Sequence, residues 1–439
     1  MKKPVDSFSS ICFPENSDYF YHPGEVDPET RSALLEQYHR ELEKCSPRET
    51  WAGDAHQKSA PYPILGSVGH QRQLADLSEA LVLAITDIVQ RWWSDVDARF
   101  PERMPIDPVE EKLLQWMEGL GTDVLRPYRF VQGSWRPDFL LESSEDPEQI
   151  ENYRICEINA RFFPNGFLFI AFGQQALINM GIEKHGLKGA ADPKRVITGL
   201  SKLVDPSLPL HVAKGEEYGF DIRIWRVFRR IHQLGLELHQ RELLAMSYEM
   251  LQQISLRCFN DLRTVSLVHD KRMLGLVLEE LNTLVSRNVI SSRQAKILNR
   301  GLVHTFIPGS TKLKNLITTC QSDTLFKDKH MLKPVRSGKG KGILFGDQIS
   351  HDEWLSILQS MRDPFLKDGE TTYVVQTQVQ QRRYDVLLEE EKGIGNFPLI
   401  GTFHITHGVF LGLGLWRSGP GRICALSRGG SWVCTVIQQ

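Results

Sequence analysis

Two short runs of the chain place oxygen ligands and a guanidinium at strand spacing. Arg136-Pro-Asp138 and Glu157-Ile-Asn159 each lie in an apolar run that is typical of a strand. Side chains two positions apart on a strand face the same side, so antiparallel pairing would gather all four on one face. Two carboxylates and a carboxamide suit Mg²⁺, which takes the rest of its shell from water and substrate phosphates. Arg136 could bind a phosphoryl group or a carboxylate. By spacing alone, a structural ion-pair cluster is the stronger alternative.

Residues 331–345 have the composition of a phosphate-binding loop. A strand is predicted from Met331, carries Lys333, and resumes at Ile343 after a glycine-rich turn. Glycines let backbone amides face an anion, and lysines supply positive charge. The spacing is not that of the G-x-x-x-x-G-K-[ST] loop, so we expect a hairpin flap over phosphates, with an exposed β-turn as the alternative. The turn contains Ser337, Gly338, Lys339 and Gly340.

The whole-chain composition is that of a folded protein with a substantial core. The chain has 439 residues, is 41% hydrophobic, and carries 52 Lys+Arg against 54 Asp+Glu, which excludes a fibrous chain and gives no overall charge signature for nucleic acid. Its seven scattered cysteines form no CxxC pair, so neither a disulfide framework nor a zinc site is indicated. The best apolar run starts at Phe167, is broken by polar residues, and falls short of a membrane span. We therefore expect a cytoplasmic protein.

The strands and helices expected around these motifs indicate an α+β fold in which mixed sheets are flanked by helices. We expect an N-terminal arm and helical region at 1–125, whose first helix starts at Asp27 and Pro28, and the metal-binding strands of the catalytic core at 126–195. A βα, Rossmann-like substrate lobe follows at 196–303, because residues 208–239 and 262–285 each read as strand, turn and helix. Residues 304–439 complete a nucleotide-binding lobe with the glycine-rich flap and the C-terminal strands.

Taken together, the motifs resemble the ATP-grasp superfamily, specifically the permuted branch with glutathionylspermidine synthase and, more distantly, eukaryotic glutathione synthetase. In that branch an R-x-D strand and an E-x-N strand carry the Mg²⁺ ligands and precede the nucleotide lysines, as here. The resemblance covers residues 125–439. Residues 1–125 contain no counterpart of the amidase domain of some relatives. The further matching positions are Lys312 or Lys314 at a predicted helix start, Lys333-Pro334, Val375-Gln376 and Arg417.

The resemblance implies an ATP-dependent carboxylate-amine ligase. In such enzymes ATP phosphorylates a carboxylate, and an amine then attacks the acyl phosphate to form an amide. The expected substrates are small amino-acid, peptide or polyamine-like molecules, with no nucleic acid or membrane partner and the oligomeric state left open. A non-catalytic nucleotide-binding scaffold and a phosphotransferase are the alternatives.

The resemblance also assigns roles to individual residues. Arg136 and Arg417 are catalytic, although an ion pair is an equal alternative for Arg417. Backbone groups near Gln376 would meet adenine. Mg²⁺ would be bound by Asp138, Glu157 and Asn159, and ATP phosphates by Lys312 or Lys314, Lys333, Ser337, Gly338, Lys339 and Gly340.

Sorting the charges by position predicts two opposed patches. A basic flap would contain Lys327, Lys329, Lys333, Arg336, Lys339 and Lys341. An acidic entrance, suited to a cationic amine or else a solvated turn, would contain Glu142, Glu145, Asp146, Glu148 and Glu151. Two further turns could contact substrate, at Lys214–Asp221 and at Val268–Arg272, although Asp270 is better explained as a helix cap.

Overall fold

The computed structural model describes residues 7–47, 51, 54–143, 150–161, 164–214, 231–366 and 369–438. The strands in these ranges are β1 Ser9–Ser10, β2 Ile64–Gly66, β3 Ser134–Glu142, β4 Asn152–Asn159, β5 Leu187–Gly189, β6 Leu210–Lys214, β7 Gln233–Glu237, β8 Thr305–Phe306, β9 His330–Pro334, β10 Leu344–Phe345, β11 Tyr373–Thr377, β12 Arg383–Leu387, β13 Ile394–Thr406, β14 Val409–Ser418 and β15 Ser431–Gln438. The helices are α1 Pro28–Cys45, α2 Val68–Gln90, α3 Phe100–Arg103, α4 Pro108–Glu118, α5 Pro164–Asn179, α6 Pro193–Ser201, α7 Gln240–Leu244, α8 Tyr248–Ser255, α9 Arg272–Ser286, α10 Ser292–Gly301, α11 Thr311–Ser322 and α12 His351–Ser360.

The largest sheet is mixed and has the order β1-β2-β15-β14-β13-β3-β4, with β12 beside β13 and β5 beside β15. Strand β15 runs parallel to β2, and the other neighbours pair antiparallel. Neighbouring residues of β14 face opposite sides of it. Trp416 is fully buried against Phe8 and Phe139, whereas Arg417 faces the predicted metal ligands. The mixed α+β architecture predicted from the sequence is confirmed.

The N-terminal segment is built into this sheet through β1 and β2. Helix α1 begins at the predicted place, because Asp27 Oδ1 accepts a hydrogen bond from Thr30 N over 2.9 Å and Pro28 occupies the first turn. The domain boundaries predicted from the sequence stay predictions.

The smaller sheet has the antiparallel order β10-β9-β11-β8. Its strands β9 and β10 form the hairpin predicted around the glycine-rich turn, within a residue of the expected bounds. Helices α11 and α12 cover the sheet with a separate core of Leu313, Leu316, Ile317, Cys320, Leu332, Trp354, Leu358, Met361 and Val375. The movement of the hairpin as a flap stays a prediction.

The region predicted as a substrate lobe contains the parallel pair β6-β7. The helix predicted after β6, with nearly all of the turn at Lys214–Asp221, lies outside the described residues. The second predicted βα unit, at residues 262–285, does not begin with a strand. The predicted strand was wrong, because Thr264–Val268 form a π-helix leading towards α9. All five residues of this segment are buried, so its apolar run carries no periodicity that separates helix from strand.

The remaining sequence expectations concern cysteines and membrane spans. All seven cysteines are free. The apolar run from Phe167 lies in α5, which packs on β14 and β15. Among the described residues, no helix combines the length and apolar character needed to cross a membrane.

Candidate active site

Strands β3 and β4 pair antiparallel as predicted, with Arg136 opposite Asn159 and Asp138 opposite Glu157. Arg136 Nε lies 3.4 Å from Asp138 Oδ1. Asn159 Nδ2 donates a hydrogen bond to Glu157 Oε1 over 3.3 Å. The four side chains therefore share one face of the sheet. The side-chain oxygen of Asn159, Oδ1, can act as an acceptor.

Arg417 completes this face from β14. Its Nη2 donates to Asp138 Oδ2 over 2.6 Å, and the Asp138 side chain is 3% exposed. Burial lowers the pKa of Arg417, but the Asp138 carboxylate more than offsets this and holds that pKa above its ordinary value. Asp138 Oδ1 accepts no hydrogen bond from the part of the chain that the structure describes. A buried carboxylate oxygen without a donor is costly, and a bound cation would compensate it.

Two lysines from other elements neutralise Glu157. Lys271, next to the start of α9, places Nζ 3.3 Å from Glu157 Oε2, and Lys333 on β9 is buried. Burial raises the pKa of Glu157, but the positive charges of Lys271, Lys333 and Arg417 outweigh it and hold that pKa well below its ordinary value. Glu157 is therefore ionised at neutral pH and can act only as an acceptor.

Sequence reasoning missed Lys271. The sequence predicts a substrate-contacting turn at Val268–Arg272 and a helix cap at Asp270, but assigns no role to Lys271. The contact of Lys271 with Glu157 depends on how the start of α9 is placed beside β4 in the folded chain, which local pattern does not reveal. The only available signal was its position directly after the predicted helix cap.

Asp270 is engaged by arginines rather than open to a substrate. Its Oδ1 accepts from Arg272 N over 2.9 Å, although Lys271 and not Asp270 occupies the N-cap position of α9. Its Oδ2 lies 2.8 Å from Arg272 Nη2 and 3.2 Å from Arg336 Nε. Arg336 also donates to both carboxylate oxygens of Glu110. The assignment of Arg336 to a phosphate-binding basic flap was therefore wrong, because its charge is buried and paired.

The other predicted nucleotide contacts lie on and around the smaller sheet. Lys312 and Lys314 are both exposed on the first turn of α11. The side chain of Gln376 is fully buried and donates to Cys156 O and Thr305 Oγ1, both at 3.0 Å, so only its backbone could meet adenine.

The glycine loop, residues 337–342, turns tightly between β9 and β10. Gly340 has φ +69°, and a Cβ there would come within 2.3 Å of Ile423, so this position requires glycine. A Cβ at Gly338 would meet nothing within 4 Å. Ser337 and Lys339 complete the predicted set, and Ser337 O accepts a hydrogen bond from Lys271 Nζ.

The predicted acidic entrance is not formed by its two described members. Glu142 is paired with Arg154 through both carboxylate oxygens. Glu151 is 1% exposed and accepts from Ser7 and Tyr384, with His70 Nε2 at 2.9 Å. Neither carboxylate is available to an incoming amine. Glu145, Asp146 and Glu148 lie outside the described residues.

The donor set of this face fits Mg²⁺. Asp138, Glu157 and Asn159 offer hard oxygen atoms, and Asp138 Oδ1 lacks a hydrogen-bond donor. Within the described ranges no group of three or more His, Cys, Asp or Glu side chains could hold a metal ion. A set of two carboxylates and an amide therefore suits a cation that completes its shell with water and phosphate oxygens, not a protein-enclosed metal centre.

Comparisons with known proteins identify the family. A family model described as the AnkG N-terminal domain matches residues 77–228 and 225–267. The ATP-grasp enzyme ankG of Aspergillus thermomutatus is 31% identical over 439 aligned positions, which cover 87% of this chain and 89% of that protein. The chain belongs to the ATP-grasp enzyme family. It is therefore an enzyme of the ligase type, and the family predicted from the sequence is confirmed.

A solved structure shares the fold of this ATP-grasp enzyme. The glutathione synthetase-like effector GSS30 of Globodera pallida, in its apo form, has a TM-score of 0.51 and 11% sequence identity, covering 94% of this chain and 98% of that chain. This similarity shows a common fold. The permuted chain order predicted from the motifs stays a prediction.

Proposed function

We propose that this ATP-grasp enzyme joins a carboxylate to an amine through an acyl phosphate, acting on small amino-acid, peptide or polyamine-like substrates. The observation that carries the proposal is the convergence of five chain segments on one face of the large sheet. These segments contribute two carboxylates, an amide, and a set of positive charges around them. The positive side chains are Arg136, Lys271, Lys333 and Arg417.

In the first step a substrate carboxylate oxygen attacks the γ-phosphorus of ATP, and the bond to the β,γ-bridging oxygen breaks to release ADP. Mg²⁺ bound by Asp138, Glu157 and Asn159 would neutralise charge on the phosphates. Lys333, with Lys312 or Lys314, binds phosphate oxygens. Arg136 and Arg417 stabilise the negative charge that develops on the transferring group, and their fixed positions avoid reorganisation during the reaction.

In the second step the amine attacks the acyl carbon, the carbon-oxygen bond to phosphate breaks, and the amine nitrogen loses a proton to give the amide and inorganic phosphate. The glycine loop excludes water, which would otherwise hydrolyse the acyl phosphate. Its backbone amides and Lys339 can bind phosphate oxygens.

The free state of all seven cysteines supports a reducing compartment such as the cytoplasm.

The two alternatives make different use of the same site. A non-catalytic scaffold would not need to retain the whole ligand set, so the presence of Asp138, Glu157 and Asn159 together favours an enzyme. A phosphotransferase would stop at the phosphorylated carboxylate. Only the products separate it from a ligase.

The deciding experiment incubates the protein with ATP, Mg²⁺ and pools of amino acids, small carboxylic acids and polyamines. We expect ADP release together with a new mass equal to the sum of two substrates less one water. A Glu157→Gln variant, which keeps the side-chain volume, serves as the inactive control. If ATP with Mg²⁺ never raises the melting temperature of the wild-type protein, the proposed function is wrong.

A further inference from the structure

Strand β4 contains a β-bulge directly before Glu157. Asp138 of β3 lies opposite Glu157. The next residue of β3, Phe139, lies opposite Ile155, so Cys156 is the extra residue of the bulge. In a regular strand Ile155 and Glu157 would face the same side of the sheet, because they are two positions apart. Here Ile155 is fully buried on the side of Phe139, and Glu157 faces the side of Asp138. The bulge therefore decides which side of the sheet Glu157 faces.

A glutamine of the smaller sheet binds this bulge. Gln376 on β11 is fully buried, and its Nε2 donates to Cys156 O and to Thr305 Oγ1, each over 3.0 Å. A bulge interrupts the regular pairing of backbone groups, so a buried carbonyl there needs a donor from elsewhere. Gln376 supplies such a donor although it lies 220 positions later in the sequence than Cys156.

Gln376 shares one face of the smaller sheet with Lys333. Across β9 and β11, Gln376 lies opposite Met331 and Val374 lies opposite Lys333. Residues two positions apart on a strand face the same side, so the side chains of Gln376 and Lys333 leave the smaller sheet in the same direction. This face therefore supplies both the proposed phosphate lysine and the amide that reaches β4.

We propose that Gln376 is a positioning residue whose side chain holds the β-bulge at Cys156 and so keeps Glu157 aimed at the cation. The inference rests on the proposed function, in which Glu157 is a metal ligand. In this role the Gln376 side chain touches neither cation nor phosphate and acts through the backbone of β4. The role is separate from the adenine contact predicted for the backbone of the same residue.

The need for the Gln376 amide follows from the geometry of the bulge. Without this donor, Cys156 O would lose a hydrogen bond in a buried place, which is costly. The strand can relieve that cost by giving up the bulge. A shift of the pairing by one residue turns side chains to the opposite face of a sheet, so Glu157 would leave the side of Asp138.

The first test measures the bulge in the metal-free, full-length protein through the reactivity of Cys156. This residue is 7% exposed, and burial raises the pKa of its thiol to about 11, so it should react slowly with iodoacetamide. Gln376→Met keeps the length of the side chain but removes both N–H donors. We expect alkylation of Cys156, measured by peptide mass spectrometry, to become about five- to a hundredfold faster, the usual penalty for an unsatisfied buried acceptor.

Two controls separate this effect from a general loss of stability. Cys434 on β15 is 1% exposed and should react as slowly in Gln376→Met as in the wild type. Gln174→Met removes a comparable contact, because Gln174 on α5 is fully buried and its Nε2 donates to Thr435 O over 2.8 Å. Cys156 should react at the wild-type rate in that variant. Unchanged alkylation of Cys156 in Gln376→Met, or equal acceleration at Cys434, overturns the proposal.

The second test measures cation affinity with Mn²⁺ alone as the probe, detected by electron paramagnetic resonance. Replacing a residue that orients a metal ligand usually costs about 10–100-fold in affinity, so Gln376→Met should weaken Mn²⁺ binding at least about tenfold. Gln174→Met should bind Mn²⁺ like the wild type, even where it lowers the melting temperature as much as Gln376→Met does. Unchanged Mn²⁺ affinity in Gln376→Met overturns the positioning role.

A third measurement needs no variant and so covers the case in which Gln376→Met fails to fold. If the bulge aims Glu157 at the cation, a bound cation stabilises the bulge by mass action. Mn²⁺ at ten times its dissociation constant should therefore slow alkylation of Cys156 in the wild type about tenfold and leave Cys434 unchanged. An unchanged rate at Cys156 overturns the proposal. Gln376→Asn, whose amide is one methylene shorter, is the second variant and should also speed alkylation of Cys156.

The outcomes separate this inference from the proposed function. A wild-type protein that binds neither Mn²⁺ nor ATP with Mg²⁺ removes the proposed function, and the role of Gln376 falls with it. A wild-type protein that binds both, together with a Gln376→Met variant that binds Mn²⁺ equally well, removes the role of Gln376 alone.

Discussion

Arg417 Nη2 donates to Asp138 Oδ2 over 2.6 Å, although 279 positions of sequence separate the two residues. Their strands are not neighbours, because β13 lies between them and places Thr402 opposite Asp138 and Ile400 opposite Arg417. Arg417 thus reaches across β13 to the carboxylate. Asp138 is engaged by Arg417 through Oδ2, and its Oδ1 lies beside Arg136 without accepting a hydrogen bond from the described part of the chain.

Replacing Asp138 by Asn should separate metal binding from folding. Asp138→Asn keeps the volume and an oxygen that can accept from Arg417, but removes the charge. We expect Mg²⁺-dependent ADP release to fall by at least about tenfold, since even residues that only support metal ligands usually cost about 10–100-fold. The melting temperature should stay close to that of the wild type. Asp352→Asn, at an exposed position of α12, is the control, and full activity in Asp138→Asn would remove the metal assignment.

Arg417→Lys tests whether this arginine is catalytic or only an ion-pair partner. Lysine keeps the charge but lacks the planar fork that can hold Asp138 and a transferring phosphoryl group together. We expect turnover to fall by about 10²–10³-fold, the usual result of losing one transition-state donor. Binding of ATP, measured by calorimetry, should change little. A variant with a lower melting temperature but normal turnover per folded molecule would show that Arg417 is structural.

Lys333→Met should weaken ATP binding. A hydrogen bond to a charged group contributes about 1.5–3 kcal/mol, so the dissociation constant should rise by roughly 10–100-fold. Calorimetry with the metal-bound nucleotide measures this directly. Lys188→Met, at an exposed position on β5, provides the control for loss of one lysine. An unchanged dissociation constant would rule out a phosphate contact for Lys333.

Glu151 makes stability depend on acid pH. Burial raises its pKa, but hydrogen bonds from His70 and Ser7 prevail and lower it from 4.5 to about 2. A carboxyl with a depressed pKa in the folded state binds its proton more weakly than in the unfolded chain, so unfolding takes up a proton between these values. Its contribution is therefore complete above pH 4.5 and is lost as the pH falls towards 2.

Glu151→Gln should remove this dependence. The stability difference from the wild type should be up to about 3 kcal/mol at neutral pH, from the size of the shift. It should shrink steadily below pH 4.5 in denaturant melts. A difference that does not change with pH would mean that the Glu151 charge is not what stabilises the fold.

The sequence predicted the parts of the site that depend on local alternation. Arg136, Asp138, Glu157 and Asn159 follow the two-residue period of their strands, so their common face could be derived before the fold was known. The hairpin at the glycine loop was predictable for the same reason, because glycine clusters mark turns between strands.

The remaining features depend on tertiary packing. Lys271 contacts Glu157 only because the π-helix and α9 bring it to the end of β4. Glu151 and Arg336 have the same residue types as solvated surface charges, and only their buried partners show otherwise. A single sequence does not show which distant residues will be buried beside a charge. Clustering of charges along the sequence therefore predicted that Glu151 and Arg336 would both lie on exposed surfaces.

The pairing of β2 with β15 and of β3 with β13 has a consequence for synthesis of the chain. One edge of each of these early strands leaves the ribosome with unpaired backbone N–H and C=O groups that pair only with a strand made much later. Such long loops are slow to close. At about 5–20 residues per second, β3 waits on the order of ten seconds or more for β13. Nascent chains of this protein should therefore depend on chaperones that shield strand edges until the last part of the large sheet has been translated.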